Sequence, residues 1–272
     1  MKNKFFKIAT TITPKTHHWA NDTLPIGTIV QQVKDTKNLI NPIKGIVVKS
    51  EGITEEMAIP YSFLNPEFEY KKTILVLHGF NSAPGNKEAI IKEWLDKNNL
   101  TNQYNLIAPQ LSHSPSEAIK QIGEIIQEHY GNIFIIGTSL GGFYANYVRV
   151  LNPSDDIKVH AINPSWSPSK TLKQELNKKQ VNFKTGAEWK FSNVFLNYLS
   201  KFETDCKREI KSYNGSYYTL HLSNSDELLD FTEMKTDFAE SNIPHKIFYY
   251  DTNHRFEKVE EMLDNIKQEL NY

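Results

Sequence analysis

The chain is short of residues that several protein classes depend on. It has one cysteine, Cys206, in 272 residues. An internal disulfide and a thiolate zinc site are both out of its reach, which excludes secreted disulfide scaffolds and suits a reducing compartment. Arg149, Arg208 and Arg255 are its guanidinium groups, so the bidentate contacts that read phosphates and guanine edges are scarce. With Lys+Arg 31 against Asp+Glu 32 the formal charge is −1; no cationic excess favours nucleic acid, and no nucleic-acid partner is expected. No stretch approaches the roughly 18–20 apolar residues that span a bilayer, and no membrane partner is expected. The first residues are basic, but Lys7 and then Thr10, Thr11 and Thr13 interrupt any apolar run and no small-residue cleavage site follows. They read as an ordinary N-terminus, and the expected location is cytoplasmic.

What is present divides at about residue 70. A length of 272 residues allows one large domain, or a medium one with a small appendage, at about 100–200 residues per domain. Residues 1–70 carry short β-branched runs at 27–33 and 45–49, separated by Asn, Pro and Gly, with no helical period. This predicts a small β-rich module of unassigned role and a candidate site for a macromolecular partner. His17 and His18 are adjacent, but no second ligand cluster is near, so they are given no chemistry.

From residue 71 the pattern becomes strand, turn, helix, repeated. Apolar runs at 73–77, 104–108, 132–136, 158–162, 217–222 and 246–250 predict six strands. Ile90, Ile91, Trp94 and Leu95 share one helical face after Pro84-Gly85-Asn86; Ile119, Ile122 and Ile126 share another; a last helix spans about 256–270. The expected fold over 71–272 is α/β, a doubly wound and mostly parallel sheet. Residues 164–215 are too many for a plain connection. They predict a cap or lid, or else extra helices packed at the sheet edge, with Trp166, Trp189 and Phe191 available to line an apolar acyl pocket.

The chemistry centres on Gly137-Thr138-Ser139-Leu140-Gly141, which follows an apolar strand and opens a helix. That context gives the G-x-S-x-G pattern its meaning: a sharp strand-to-helix turn presents the serine hydroxyl above the sheet, and the flanking glycines leave room for it. Such a serine needs a neutral imidazole to take its proton and a carboxylate to orient the ring. Catalytic groups of open α/β sheets lie beyond the carboxyl ends of the strands. Among the histidines after Ser139, His254 is the one in such a loop. His160 and His221 fall inside strands and read as core, and His245 precedes a strand; His129, ahead of Ser139, ends a helix. For the acid, the loop after the fifth strand offers Asp226 first and Asp230 second; Glu227 should point elsewhere, and a plain N-cap role for Asp226 stays open. Two N–H groups must hold an oxyanion, one from Leu140 and the other, by loop position, from Phe80. The spacing from Gly79 to Gly85 does not fit a phosphate-binding loop.

Several stretches together resemble the YqiA-type esterase family of the α/β-hydrolase superfamily, over about 73–270: LHGFNSAPG at 77–85, APQL at 108–111, GTSLGGFYA at 137–145, AINP at 161–164, Asn182 with Thr185-Gly186, DELLD at 226–230 and NHRF at 253–256. The resemblance implies an α/β-hydrolase fold and hydrolysis of small carboxylic esters or thioesters with short to medium acyl groups, and carries over Ser139, Asp226 and His254 as the triad. The sequence departs from the family's usual pattern at Thr138, Ser225, Asp251 and Thr252. No metal or other cofactor is expected. Two alternatives stand beside the esterase reading: an amidase or peptidase using the same triad, and a non-catalytic binding protein that keeps the hydrolase scaffold.

Overall fold

Nearly unbroken apolar runs separated by amphipathic helices can be buried only if a sheet is covered on both faces, and the computed structural model has that arrangement. It describes residues 71–129, 133–151, 157–212, 218–241 and 243–271, with 4–7, 29–35, 45–49 and 57–60. His17 and His18 lie outside the described residues. The chain forms two units, Met1–Lys71 and Lys72–Tyr272. In the first, β1 (Lys4–Lys7), β2 (Ile29–Asp35), β3 (Gly45–Lys49) and β4 (Met57–Pro60) pair antiparallel in sequence order.

The second unit contains β5 (Lys72–Leu77), β6 (Tyr104–Ile107), β7 (Ile133–Thr138), β8 (Ile157–Ile162), β11 (Tyr218–Ser223) and β12 (His245–Tyr250). They form one sheet in the order β12-β11-β8-β7-β5-β6, every pair parallel. Side chains alternate across it. Leu75, Leu77, Ile133, Ile135, Val159 and Leu220 pack on α2 (Pro115–Glu128), α3 (Leu140–Leu151), α5 (Asn193–Ser212) and α6 (Thr232–Ala239). Ile74, Val76, Phe134, Ile136 and Ile162 pack on α1 (Asn86–Lys97) and α7 (Val259–Asn271). Two details differ from expectation. Helix α1 begins at Asn86 and has Gly85 as its cap, with no side chain capping it; α7 begins at Val259 because Phe256, at φ 55°, turns the chain out of helical geometry.

The segment between β8 and β11 holds a short α4 (Pro168–Thr171), a hairpin of β9 (Lys179–Val181) and β10 (Glu188–Lys190), and α5. Leu199, Phe202, Cys206 and Ile210 form the buried stripe by which α5 packs on the core of the sheet.

His160 and His221 are both 0 % exposed and form a buried polar chain. His160 Nδ1 lies 3.4 Å from His221 Nε2, and His221 Nδ1 lies 2.9 Å from the Tyr250 hydroxyl. Burial, with Lys158 and Lys246 adding repulsion, brings His160 down to about 3; burial, His160 and Lys246 hold His221 well below its ordinary value. Both rings are therefore neutral in the fold and take up protons near about pH 6.5 only when unfolding exposes them. The His160 contribution is complete above that pH and is lost as pH falls from there toward about 3, and that of His221 is lost in the same direction, each by up to about 1.4 kcal/mol per pH unit. His78 and His113, lowered by burial, act in the same sense, and Glu203, raised by burial, opposes them. The urea midpoint should be clearly lower at pH 5 than at pH 7.5; equal midpoints would contradict the assignment.

Candidate active site

In the sheet order β12-β11-β8-β7-β5-β6 the direction of winding reverses between β5 and β7, and open α/β sheets place their sites beyond the strand ends at such a reversal. Ser139 and the loop 78–85 both emerge there. Ser139 joins β7 to α3 with φ 54°, a left-handed conformation costly for a residue with a side chain. Its N–H donates to Ile162 O at 2.9 Å, and its carbonyl accepts from Phe143 at 3.2 Å and Ser165 at 3.0 Å. The glycines matter through proximity. A Cβ at Gly137 would overlap the Gly141 carbonyl, and one at Gly141 would overlap the Leu77 carbonyl. At Gly79 it would stand 3.2 Å from Ser139 Cβ, so the loop 78–85 rests directly on the serine.

The structure brings Asp226 and His254 together. Asp226 Oδ2 accepts from His254 Nδ1 at 2.7 Å, with the two side chains 2 % and 14 % exposed. Asp226 Oδ1 accepts from the N–H groups of Leu228 (2.9 Å) and Leu229 (2.8 Å). Orienting the ring and capping the turn were competing roles for Asp226; two carboxylate oxygens accommodate both. Burial pushes this carboxyl upward, but the hydrogen bonds from His254, Leu228 and Leu229 outweigh it and hold the group below its ordinary range. Asp230 is not brought to His254: its carboxylate accepts from the N–H and hydroxyl of Thr232 at the start of α6. Glu227 does not simply point away. Its carboxylate accepts the His254 backbone N–H at 3.0 Å, a bond that also lowers its own pKa.

Ser139 Oγ makes no hydrogen bond among the described residues, to His254 or to any other group. The two are connected through the end of β8. Ile162 O takes the Ser139 N–H, and the next residue, fully buried Asn163 at φ 41°, donates through Nδ2 to Ser223 Oγ (2.7 Å) and reaches His254 O (3.3 Å). Asn163 Oδ1 accepts from Ser223 N at 2.8 Å, and Ser223 Oγ donates to Asn253 O at 2.8 Å. Serine, acid and histidine loops thus share one buried hub that sequence reading did not find, although Asn163 lies in the AINP stretch. Lys87 Nζ holds the same loop from outside, donating to Arg255 O at 2.6 Å. The departures from the family pattern are absorbed without strain: Thr138, Ser225, Asp251 and Thr252 are not among the residues with positive φ, and Ser225 N–H donates to Thr252 O at 3.2 Å.

Beside Ser139 is a small pocket open to solvent, lined by His78, Phe80, Leu111, His113, Tyr144 and Trp189 among others. Of the three aromatics considered for an acyl pocket, only Trp189 lines it. Trp166 is buried and donates through Nε1 to Asp237, while Phe191 is buried behind Phe80. Burial lowers the pKa of His78, whose Nε2 accepts the Leu111 N–H at 3.0 Å, so the ring carries its proton on Nδ1. The N–H groups of Phe80 and Leu140 donate to no other group among the described residues, and both residues line the pocket. No cluster of three or more His, Cys, Asp or Glu side chains suited to a metal occurs among those residues, and none of the described helices is long and apolar enough to cross a membrane.

Parallel strand order, a serine on a tight turn after the third strand of the sheet, and a carboxylate and a histidine on the last two strand-end loops are the arrangement of the α/β-hydrolase fold. The profile of Uncharacterised protein family UPF0227 matches residues 73–270. The chain belongs to that family. Solved structures with a similar fold include Est1E from Butyrivibrio proteoclasticus with ferulic acid bound (14% identity, 76% of this chain and 91% of that one, TM-score 0.56). A monoacylglycerol lipase from Paleococcus ferrophilus is similar at 15% identity over 74% of this chain and 96% of that one, TM-score 0.55. The esterase domain of a Rhodothermus marinus protein matches over 98% of this chain and 99% of that one, at 12% identity and TM-score 0.51.

Proposed function

We propose that this protein is a serine hydrolase of small carboxylic esters or thioesters, with Ser139 as nucleophile, His254 as base and Asp226 as the carboxylate that orients it. The observation that carries the reading is the 2.7 Å contact between Asp226 Oδ2 and His254 Nδ1, which leaves His254 Nε2 as the ring's remaining acceptor. Left-handed Ser139 and two uncommitted N–H groups support it. Ser139 Oγ attacks the acyl carbon as His254 takes its proton; the Phe80 and Leu140 N–H groups hold the oxyanion. The leaving alcohol or thiol departs with that proton. Water, deprotonated by His254, then attacks the acyl-enzyme and releases the acid and free Ser139. The absence of an Oγ–His254 hydrogen bond does not oppose this, since such bonds commonly tighten only when substrate is bound.

The acyl group is short to medium in length, as the family resemblance implies. The pocket walls of Phe80, Trp189, His113 and Tyr144 also suit a planar aromatic acid, the kind of molecule held by the ferulic-acid-bound neighbour. The test is a panel of esters, thioesters and amides with matched acetyl, butyryl, octanoyl and cinnamoyl groups. Turnover of esters and thioesters, with amides at least about a hundred-fold slower, is expected from the easier leaving group. Preference for amides would favour the amidase or peptidase reading; no turnover of any member would favour the binding-protein reading.

A further inference from the structure

We propose that the β9–β10 hairpin is a fixed clamp on the loop that presents the Phe80 N–H, with Asn81 and Trp189 as positioning residues for the oxyanion. This rests on the serine-hydrolase reading above. Asn81 follows Phe80 directly, is buried and has φ 54°. Asparagine tolerates that left-handed geometry better than most residues, but the hairpin uses far more than its backbone. Asn81 Nδ2 donates to Val181 O at 2.8 Å, and its Oδ1 accepts from Trp189 Nε1 at 2.9 Å. Its carbonyl accepts from Phe183 N at 3.0 Å, and the neighbouring Ser82 carbonyl accepts from Asn182 Nδ2 at 2.8 Å. Two consecutive loop residues are thereby bonded to a segment about a hundred positions away in the chain.

The clamp is itself stiff. Asn182 Oδ1 accepts from the N–H groups of Lys184 and Thr185, each at 3.0 Å, and Gly186 N donates to Asn182 O at 3.0 Å. The Trp189 ring is fixed by His113, stacked at 4.4 Å and 6°, and Phe80 sits edge-on to it at 5.4 Å. On the other side of Phe80, Gly79 abuts Ser139 and His78 is held by Leu111. The Phe80 N–H therefore lies between two anchored residues. An oxyanion donor is effective in proportion to how well it is placed before charge develops, and this hairpin supplies the placement. Opening as a lid would require breaking all four bonds to Asn81 and Ser82.

A residue that only lines the acyl pocket should alter KM and acyl preference; one that places an oxyanion donor should alter kcat. Trp189→Phe keeps an aromatic ring and removes the Nε1 donor. Asn81→Gly keeps the left-handed backbone and removes both side-chain bonds. On p-nitrophenyl butyrate, each variant should lose roughly ten-fold or more in kcat with KM changed less than about two-fold, and the double variant should lose little beyond Asn81→Gly alone, because one clamp is being removed twice. Melting temperatures serve as the fold control, and either single variant suffices if the other does not fold. A raised KM with unchanged kcat, or losses that multiply in the double variant, would overturn the clamp. If the unaltered protein turns over no ester, the serine-hydrolase reading fails and the clamp with it; turnover with unaffected variants overturns the clamp alone.

Discussion

Ser139→Ala should lower kcat on a short-chain ester by about 10⁴- to 10⁶-fold while leaving KM and the melting temperature close to those of the unaltered protein. The size follows from losing the nucleophile outright: water must then attack directly, assisted only by the oxyanion donors and by binding. Stability should change little, for three reasons. Alanine keeps the Cβ that packs against Gly79, and it bears the same left-handed strain as serine at φ 54°. Oγ makes no hydrogen bond among the described residues, so its removal leaves no buried partner unsatisfied. Retention of more than about one-tenth of the activity would remove Ser139 from the mechanism.

Asp226→Asn should cost about 10³- to 10⁴-fold in kcat, again with the fold intact. The asparagine oxygen can still accept from Leu228 and Leu229, which preserves the turn. Its amide, however, presents a donor where Oδ2 now accepts from His254 Nδ1. The ring would then move its proton to Nε2, the atom that must accept one from Ser139. The neighbouring carboxylates provide the contrast. Asp230→Asn touches only the Thr232 turn and should change kcat less than about two-fold. Glu227→Gln leaves an oxygen to accept the His254 N–H and should cost no more than several-fold. Parallel pH 8 assays of the three variants check this, and a loss in Asp230→Asn matching that in Asp226→Asn would overturn the assignment of Asp226.

The parallel strands were legible in the sequence because strands covered on both faces are rich in apolar and β-branched residues with few polar interruptions. The runs at 73–77 and 158–162 need only one more residue each to match β5 and β8. Ser139 was legible because its glycine spacing records a local clash, between β7 and the first turn of α3, that the coordinates make explicit. Helix α5 was legible only as one of two readings of 164–215, a cap or lid and extra helices packed on the sheet. Its stripe, Leu199, Phe202, Cys206 and Ile210, has helical spacing, but the hairpin ahead of it breaks the pattern and hides where the helix starts. Asn81, Asn163 and Glu227 were illegible in a stronger sense. Each is defined by partners far along the chain, Asn81 by Val181 and Trp189, Asn163 by Ser223 and His254, and Glu227 by the His254 backbone. Polar residues in loops carry no periodicity to reveal such partners.

The most direct test of the account is covalent labelling by a fluorophosphonate, which reacts quickly only with a serine whose proton a neighbouring base can remove. Peptide mapping of the treated protein should find about one adduct per chain, on Ser139, and His254→Ala should label at least a hundred-fold more slowly. An unlabelled protein, an adduct on a different residue, or equal labelling in His254→Ala would contradict it.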